Sequence, residues 1–489
     1  MKTFSKLPRS RMGTLAALAL AWTTAAIAPH SAEAQTFTTL YSFCSQTNCT
    51  DGNVPYAVLT QATDGNFYGT TSAGGAYGEG TVFKITPGGT LTTLYSFCSQ
   101  GTAPNCADGF LPTGGLVQAT DGNFYGTTLR GGAHNKGTVF EITPGGSLIT
   151  LHSFGGLTGK APYAALIQGA DRNLYGTTLY GGASRDGTIF KVTPKGKLTL
   201  LHSFDGTDGQ YPYGGVIQAS DGNLYGTTNG GGADVCCGTV FKITPSGDFS
   251  TLASFSSAAN SSDGNQPFGG LVQSSNGDFY GTTQFGGATG CCGTVFSITP
   301  GGTLTTLHSF DVVAGGGSPN GLIQATDGDF YGTAQSGGTT DNGVVFKVAP
   351  DGTVTTLYSL CSQGTFPFCT DGYQPYAALI QATNGDFYGT TTEGGVNGGG
   401  IIFHLSVGLG GFVETQTTSG AVGSKVVILG NDLVGASRVT FNGVAARFTV
   451  VSESEITAKI PAGATTGFVE VTQQNGAVLQ SNSQFAVTP

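Results

Sequence analysis

The chain has 489 residues, a formal net charge of −10 and only 10% charged residues. Its length is enough for several domains, and its charged fraction is well below the usual quarter. An acidic chain whose sequence contains no basic cluster argues against nucleic acid and anionic membrane surfaces as partners.

Residues 1–34 have the three parts of a secretory signal peptide. A basic region precedes the apolar segment Leu15–Ile27, and Ala32-Glu33-Ala34 offers a small-residue cleavage site. The apolar segment is too short for a full membrane span. We therefore expect a secreted or extracytoplasmic chain, cell-surface associated or free, with no membrane insertion after cleavage. Loss of four basic residues and one acidic residue leaves 15 basic and 28 acidic residues, a net charge of −13.

A Tyr-Gly pair recurs seven times at intervals of 50 to 57 residues, beginning with Tyr68 and ending with Tyr388. Such periods are typical of solenoids and propeller blades. Within one copy, turn signals such as Asp64-Gly65 separate four strand-like segments. In the first copy we name these segments strands a to d: Tyr56–Ala62, Asn66–Thr71, Thr81–Thr86 and Thr90–Phe97. Four antiparallel strands per copy predict one propeller blade per repeat.

The two ends of the repeat array complement each other. The seventh copy has a strand c, Gly400–Ser406, but no strand d follows it, whereas a strand of the d type, Thr36–Phe43, precedes the first copy. Pairing of these two strands would close a ring and remove exposed sheet edges. The sequence therefore predicts an all-β protein whose residues 35–407 form a seven-bladed β-propeller closed by its N-terminal strand.

The repeat also carries a resemblance. Its YGTT…GG…GTVFKITP…LTTLYSF pattern resembles the GloVer-type (Gloeo/Verruco) tandem repeats of bacterial secreted and surface proteins, over roughly Thr36 to Val407. The resemblance implies a bacterial secreted or surface protein and implies no particular ligand.

The repeat stops at a short linker, residues 408–411, and residues 412–489 show short alternating strands at regular spacing. This pattern predicts a small immunoglobulin-like β-sandwich. The segment resembles an IPT/TIG domain through Ser419-Gly420, the run from Val439 to Ala446, and Ile460 to Gly463. The resemblance implies a spacer or adhesive module. We predict strands at Lys425–Leu429, Arg438–Phe441, Arg447–Val451, Glu455–Lys459, Gly467–Thr472 and Gln484–Val487.

All ten cysteines follow the predicted signal peptide, and an even count in a secreted chain indicates disulfides. Three pairs enclose short loops between strand d and the next strand a: Cys44/Cys49, Cys98/Cys106 and Cys361/Cys369. The remaining four are the adjacent pairs Cys236-Cys237 and Cys291-Cys292. For these four we favour disulfides, vicinal or crossed, over a four-thiolate zinc site, because zinc-ligand pairs usually carry intervening residues.

The sequence offers little catalytic chemistry. The propeller contains three glutamates, of which Glu79 and Glu393 fall in neighbouring b–c loops and could converge as in glycosidases. We favour solvated loop carboxylates instead. His152, His202 and His308 occupy a position that is Tyr in other copies of strand d, which indicates packing. We identify no catalytic residue, no metal site and no cofactor.

Binding is better supported by the pattern. In a four-stranded blade the d–a and b–c loops emerge on one face, here called the loop face, and the a–b and c–d turns on the opposite turn face. The loop face varies between repeats, and variable loops on a rigid scaffold commonly bind ligands. The residue before the Gly-Gly pair differs between repeats, and in four of them it is Arg130, Tyr180, Phe285 or Glu393. Five aromatic residues that follow a proline are expected to surround the channel mouth: Tyr56, Tyr163, Tyr213, Phe268 and Tyr376.

Two interpretations of these residues remain open. The aromatic residues, beside Asp-Gly turns such as those of Asp51 and Asp108, could stack on sugars or hold a cation. They could equally serve turn formation and packing between blades. Our leading hypothesis is a secreted, non-enzymatic binding or adhesion protein whose partner is an extracellular glycan or envelope protein. The alternatives are an extracellular polysaccharide lyase or hydrolase, and a structural envelope component without a specific ligand.

Overall fold

The computed structural model describes residues 35–488 except 235, 257–261, 289 and 312–315, so the predicted signal peptide lies outside the described residues. The described secondary structure is almost entirely β, with two short 3₁₀ turns at Thr47–Cys49 and Leu433–Gly435. Within this part of the chain no helix is long and apolar enough to cross a membrane.

The repeats form antiparallel sheets in which consecutive strands are neighbours. The chain begins with β1 (Thr36–Ser42). Repeat 1 contains β2 (Thr60–Gln61), β3 (Phe67–Thr71), β4 (Thr81–Ile85) and β5 (Leu91–Ser96). Repeat 2 contains β6 (Val117–Gln118), β7 (Phe124–Thr128), β8 (Thr138–Ile142) and β9 (Leu148–Ser153). Repeat 3 contains β10 (Ile167–Gln168), β11 (Leu174–Thr178), β12 (Thr188–Val192) and β13 (Leu198–Ser203). Repeat 4 contains β14 (Val216–Gln218), β15 (Leu224–Thr228), β16 (Thr239–Ile243) and β17 (Phe249–Ser254).

The later repeats follow the same plan with small additions. Repeat 5 contains β18 (Asn265–Pro267), β19 (Val272–Gln273), β20 (Phe279–Phe285), β21 (Thr294–Ile298) and β22 (Leu304–Ser309). Repeat 6 contains β23 (Gly317–Gln324), β24 (Phe330–Ser336), β25 (Val344–Val348) and β26 (Val354–Ser359). A small hairpin, β27 (Gly364–Thr365) and β28 (Phe368–Cys369), precedes repeat 7, which contains β29 (Ile380–Gln381), β30 (Phe387–Thr391) and β31 (Ile401–Ser406). The fourth strand of this last sheet is β1, which pairs antiparallel with β31 from Thr36↔Ser406 to Ser42↔Ile401.

Strands b and c of each repeat are buried on both sides because sheets from neighbouring repeats pack face to face. The FYGTT strand β3 is buried throughout, and TVFKI in β4 is buried except for its lysine. Tyr68 of repeat 1 stacks on Phe124 of repeat 2 with ring centroids 4.1 Å apart. The equivalent stack between Tyr388 and Phe67, at 4.2 Å, joins repeat 7 to repeat 1. The hydrophobic core is therefore divided into clusters that lie between consecutive repeats.

A glutamine near the end of strand a links each repeat to its neighbour. Gln118 Oε1 accepts a hydrogen bond from the backbone N–H of Thr63 at 2.9 Å, and Gln61 does the same for Thr383 of repeat 7. The other five contacts of this type are made by Gln168, Gln218, Gln273, Gln324 and Gln381. Each of these hydrogen bonds gives a backbone N–H at the start of an a–b turn an acceptor in the neighbouring repeat.

Strand a is shorter than predicted. The sequence predicts Tyr56–Ala62, whereas β2 covers only Thr60–Gln61. The carbonyl of Ala57 accepts a hydrogen bond from Thr390 Oγ1 of repeat 7 at 3.3 Å. This backbone carbonyl therefore binds a side chain of the neighbouring repeat and not an adjacent β-strand. The residue before the proline, Val54, has a φ of 56°, which is incompatible with an extended strand.

Residues 412–488 form a small β-sandwich. One sheet has the order β32 (Glu414–Thr415), β34 (Lys425–Leu429), β38 (Glu455–Lys459), β37 (Arg447–Val450). The other has the order β36 (Val444–Ala445), β35 (Ala436–Phe441), β39 (Val469–Gln473), β40 (Val478–Gln480), while β33 (Ser419–Ala421) pairs with β41 (Ala486–Thr488). The predicted strands Lys425–Leu429 and Glu455–Lys459 are confirmed, and the others end within two residues of their predicted bounds. Val426, Ile428, Phe441 and Ile456 are among its core residues.

The sandwich packs against the turn face of the repeats, and the two belong to one compact unit. The backbone N–H of Phe412 donates to the carbonyl of Thr383 at 2.9 Å, immediately after the repeats end. Three side chains of the sandwich donate hydrogen bonds to carbonyls in repeats 1, 2 and 6: Ser454 to Thr63, Gln416 to Ala119 and Asn482 to Gln324. The turn face is therefore covered around its centre by part of the same chain.

Candidate functional site

The acids of the turn face are engaged in local structure. Asp64 Oδ2 accepts a hydrogen bond from Tyr68 OH at 2.9 Å and lies 2.8 Å from Lys84 Nζ. Repeats 4 and 6 contain the same Asp–Tyr–Lys arrangement, with Lys242 on Asp221 and Lys347 on Asp327 and Asp329. Strand c supplies the lysine, the a–b turn the aspartate and strand b the tyrosine. These carboxylates therefore fix the turns that hold the strands together.

The five aromatic residues predicted at the channel mouth meet at the centre of the molecule. Tyr56 stacks on Tyr376 at a centroid distance of 4.7 Å and contacts Tyr163 edge-on at 5.7 Å. Tyr213 contacts Tyr163 edge-on at 5.1 Å and stacks on Phe268 at 5.0 Å. All five are half-buried. The structure therefore unites the whole set that the Pro-aromatic repeat predicts, and shows that its members pack on one another.

These aromatic residues line a central cavity of about 250 Å³ to which all seven repeats contribute. Its deeper wall is made of small residues, among them Gly114, Ala164 and Gly269. Burial raises the pKa of Tyr56 to about 12, and burial also raises the pKa of Tyr163 and Tyr213. The phenols therefore remain protonated at neutral pH and can donate hydrogen bonds. The cavity is smaller than the roughly 300–1,000 Å³ typical of small-molecule sites, so the centre can hold only a small group.

Three aspartates of the d–a loops, Asp51, Asp108 and Asp371, are buried and held by hydrogen bonds. Asp51 is fully buried and accepts hydrogen bonds from Tyr41 OH, from Ser45 Oγ and from the backbone N–H groups of Ser45 and Gln46. Asp108 and Asp371 are buried in the same way in repeats 2 and 7. A carboxylate with this many donors stabilises its loop, which supports the turn interpretation of these aspartates over cation binding.

Cysteine pairing stiffens the same loops. The disulfides Cys44–Cys49, Cys98–Cys106 and Cys361–Cys369 form as predicted. The adjacent cysteines pair within each dipeptide, as Cys236–Cys237 and Cys291–Cys292, and none of the ten is free. Because thiolates are the zinc ligands, the disulfide form does not support the alternative of a four-thiolate zinc site.

The four residues before the Gly-Gly pairs are exposed on the loop face of four different repeats. Each pairs by a bridge with a residue of the preceding d–a loop, which the sequence did not indicate. Tyr180 pairs with Lys160, whose Nζ lies 5.8 Å from the ring centroid. Glu393 pairs with Tyr373 and accepts a hydrogen bond from its OH at 2.7 Å. The remaining pairs are Phe110 with Arg130 and Asn265 with Phe285.

The structure does not unite these four into one cluster, and no contact among the described residues joins any two of them. Glu393 was considered above with Glu79 as a pair of converging carboxylates. The structure instead shows the Glu393 carboxylate accepting a hydrogen bond from Tyr373 OH. The histidines of strand d act in packing: His202 stacks on Phe249 at 3.9 Å and contacts Asp208 at 2.7 Å.

Two further aromatic residues on the loop face were missed by the sequence analysis. Phe366 and Phe368, in the loop that carries the β27–β28 hairpin, are 62% and 80% exposed. Phe366 contacts Tyr373 edge-on at 5.2 Å, beside Glu393. The sequence feature that could have indicated them is the presence of two phenylalanines inside a short loop closed by Cys361 and Cys369. Exposed aromatic side chains next to one another are common in interaction sites.

The fold defines a propeller-like repeat protein with a C-terminal sandwich. Residues 102–291 and 267–427 match the Gloeobacter/Verrucomicrobia repeat, and residues 413–487 match the IPT/TIG domain. Because the repeat matches cover more than half of the 489 residues, the chain belongs to the Gloeobacter/Verrucomicrobia repeat family and carries an IPT/TIG domain. Both resemblances that the sequence patterns indicated are thereby confirmed.

Among solved structures, the chain is similar to the extracellular domain of a hybrid two-component system from B. thetaiotaomicron, with 11% identity and a TM-score of 0.47 over 93% of this chain and 58% of that one. Puromycin hydrolase gives 13% identity and a TM-score of 0.44 over 88% and 58%. An auxiliary nutrient binding protein from B. thetaiotaomicron gives 14% and 0.40 over 60% and 68%. Similarities at this level carry no argument about ligand or activity. Among curated proteins, none matches the chain.

Proposed function

We propose that this chain is a secreted, non-enzymatic binding or adhesion protein that contacts an extracellular glycan or envelope protein through its loop face. The observation that carries the proposal is the position of the IPT/TIG domain. It occupies the centre of the turn face through hydrogen bonds to repeats 1, 2, 6 and 7. The loop face remains accessible and presents the exposed aromatic residues Tyr180, Phe285, Phe366 and Phe368.

The scaffold in this proposal is a closed seven-bladed propeller. Three observations support the closure: the pairing of β1 with β31, the Tyr388–Phe67 stack, and the Gln61–Thr383 hydrogen bond. The β1–β31 pairing is the same as the pairing of strands c and d within the other repeats. The stack and the hydrogen bond are the same as those that join consecutive repeats elsewhere. A ring would leave no unpartnered strand at the ends of the repeat array and would hold the seven sets of loops in a fixed arrangement.

Secretion is the compartment that fits these features best. Five disulfides join all ten cysteines, and such bonds persist mainly in oxidising environments. The predicted signal peptide of residues 1–34 supports the same location. The buried aspartates of the d–a loops and the Tyr- and Lys-bound aspartates of the turn face support a binding protein over a polysaccharide lyase or hydrolase, because their hydrogen bonds serve the loops and turns.

The proposal is tested by a binding screen with residues 35–489 against arrays of extracellular polysaccharides and envelope proteins. The double variant Phe366→Ser/Phe368→Ser should weaken binding of a captured partner by about tenfold or more, as is common for aromatic hot spots. The matched control is Ile149→Ser/Leu200→Ser, two exposed apolar residues on the outer strands β9 and β13. Equal loss in both variants, or binding by residues 412–489 alone, would contradict the proposal. Release of new reducing ends or unsaturated sugars from a polysaccharide would favour the enzyme alternative.

A further inference from the structure

A second feature of the loop face lies between repeats 2 and 3. A cavity of about 480 Å³ is lined by Lys136, Lys160, Arg185, Tyr180 and Leu157, together with four glycines. This volume lies within the range of about 300–1,000 Å³ that is typical of small-molecule sites. None of its described lining residues is acidic. The chain as a whole is acidic, with a net charge of −10, so a cavity lined by three cations is unexpected.

The distribution of cations shows that this concentration is specific to one site. Of the lysines and arginines in the repeats, those of strand c approach the turn face, where Lys84, Lys242 and Lys347 bind aspartates. Arg172, Lys195 and Lys197 lie in turns of the turn face. The remaining four are Arg130, Lys136, Lys160 and Arg185, all on the loop face of repeats 2 and 3. None of these four takes part in an ion pair among the described residues.

The nearest acid along the chain, Asp186, belongs to the other side of repeat 3. Its carboxylate lies toward Gly206. Burial and the negative charges of Asp205 and Asp208, in the loop that leads into repeat 4, raise the pKa of Asp186. The charges of Lys160 and Arg185 are therefore available to a ligand. Lys136 Nζ donates to the carbonyl of Gly155 at 3.1 Å, which holds this ammonium group at the wall of the cavity.

Arg185 has a backbone conformation that is unusual for its side chain. Its φ is 75°, and the equivalent positions in other repeats are Gly78, Asn135, Asp341 and Gly398, all with positive φ. Glycine, asparagine and aspartate tolerate this region, whereas a long side chain there is strained. Arg172, in the a–b turn of the same repeat, also has a positive φ of 63°, so this conformation does not by itself assign a function to Arg185, and the proposal rests on the cavity and its charges.

We propose that this cavity binds a short acidic saccharide that carries carboxylate or sulfate groups; this inference rests on the proposed function and names a ligand class for one part of the loop face. Tyr180 is 38% exposed and contacts Tyr211 edge-on at 5.3 Å, so the free part of its ring offers an apolar surface to one face of a sugar. Lys160 Nζ, 5.8 Å from the centroid of that ring, would meet an anionic group on the stacked sugar. Arg185 supplies a planar donor that suits carboxylate or sulfate.

The glycines of the lining complete the site. Gly155, Gly156, Gly181 and Gly182 have no side chains, so a ligand can approach the backbone closely. An aromatic surface beside cations favours a ring-shaped anion over an extended acidic peptide, which would use the cations without the ring.

The test measures binding to residues 35–489, the chain that follows the predicted signal peptide, by calorimetry with trigalacturonate and a chondroitin sulfate tetrasaccharide. Fully methyl-esterified trigalacturonate serves as the uncharged probe, and hexaglutamate and inorganic sulfate as the non-saccharide anions. We expect one acidic saccharide to bind at least about tenfold more tightly than the ester, hexaglutamate or sulfate, and binding to weaken between 50 and 500 mM NaCl because charges are screened.

The variants Lys160→Gln and Arg185→Asn should each weaken that binding by about tenfold, and Tyr180→Ser should weaken it as well. The matched controls Lys195→Gln and Arg172→Asn remove the same charges from the turn face and should change it less than twofold. Arg185→Asn should fold with an unchanged or higher Tm, because Asn135 fills the equivalent position in repeat 2.

Equal binding of ester and acid, equal loss in the controls, equal affinity for hexaglutamate or sulfate, or no binding of either acidic saccharide would overturn this inference. If neither acidic saccharide binds while a captured partner depends on Phe366 and Phe368, this inference is overturned and the proposed function is left intact. Conversely, tight saccharide binding that every variant in the repeats leaves unchanged would contradict both.

Discussion

The side chain of Gln61 accepts a hydrogen bond from the backbone N–H of Thr383 at 2.9 Å, although 322 positions separate the two residues in sequence. Gln118 makes the same contact to Thr63 in the preceding repeat, and five further glutamines repeat it. A contact that elsewhere joins consecutive repeats thus joins the first repeat to the last. The contribution of the Gln61–Thr383 hydrogen bond to the free energy of unfolding therefore tests whether these two repeats are neighbours in solution.

Replacing Gln61 by alanine is expected to reduce the free energy of unfolding by about 1–3 kcal/mol, since the buried Thr383 loses the acceptor for its N–H. The matched control is Gln218→Ala, which removes the same contact to the exposed Ala170 and should cost less, about 0.5–1.5 kcal/mol. Urea unfolding followed by circular dichroism measures both. A Gln61→Ala variant as stable as the parent protein would mean that repeats 1 and 7 are not joined.

Much of this architecture could be predicted because the information is local and repeated. An Asp or Asn turn equivalent to Asp64-Gly65 and the burial of strands b and c recur in every repeat, so the positions of strands b and c agree closely with the structure. Strand a was predicted too long because its carbonyls bind hydroxyls of the neighbouring repeat, as Ala57 binds Thr390. The docking of the IPT/TIG domain was not predictable, since it depends on single polar residues such as Gln416 and Ser454 that follow no period.

The cysteines are expected to resist alkylation until they are reduced. Iodoacetamide added to denatured protein without reductant should modify none of the ten, since five disulfides join them all, and prior reduction should expose all ten to modification. Mass spectrometry of the intact chain counts the added groups. Labelling of Cys236, Cys237, Cys291 and Cys292 in unreduced protein, together with bound zinc, would instead favour the metal-site alternative.

Glu414 gives the IPT/TIG junction a dependence on pH. Glu414 is an exposed residue that lines a cavity of about 330 Å³ between the domain and repeats 1, 6 and 7, and desolvation by the surrounding protein raises its pKa. An acid whose pKa is higher in the folded state than in the unfolded state binds more protons when folded. The stability should therefore fall as pH rises above the unfolded pKa, and the cost is complete above the folded pKa.

Glu414→Gln is accordingly expected to raise Tm at pH 7 and to leave it unchanged near pH 4 and below, where the carboxyl group is largely protonated in both states. Glu453→Gln, an exposed carboxylate of the same domain, is the control and should shift Tm little at either pH. Calorimetric melting across this range measures the difference. A Glu414→Gln variant that is less stable at pH 7 would show that the charge is stabilised, contrary to the desolvation argument.

The candidate site was predictable only where its residues share a repeat position. The Pro-aromatic motif indicated the five central aromatic residues, and they do meet. The basic cavity was hidden because Lys136, Lys160 and Arg185 come from three different loops that the fold brings together. The sequence pattern did not indicate this cavity, because no single loop contains more than one of these three cations.

The four residues before the Gly-Gly pairs are expected to contribute unequally to binding and to stability. For a partner captured through the loop face, changing Arg130, Tyr180, Phe285 and Glu393 singly to alanine should weaken binding by more than about 1 kcal/mol for at least one of Arg130, Tyr180 and Phe285, the residue types that dominate hot spots. Arg130→Ala and Phe285→Ala should change the free energy of unfolding by no more than about 0.5 kcal/mol, since both side chains are exposed.

Glu393→Ala should behave differently, because it deprives the buried Tyr373 of the acceptor for its hydroxyl and so should cost about 1–3 kcal/mol of stability. Titration calorimetry and urea unfolding of the same four proteins separate the two effects. If binding survives all four changes but is lost when exposed residues of the turn face are replaced, the partner docks on the opposite side of the repeats. If residues 412–489 alone retain the full affinity, the IPT/TIG domain is the binding module and the repeats are its scaffold.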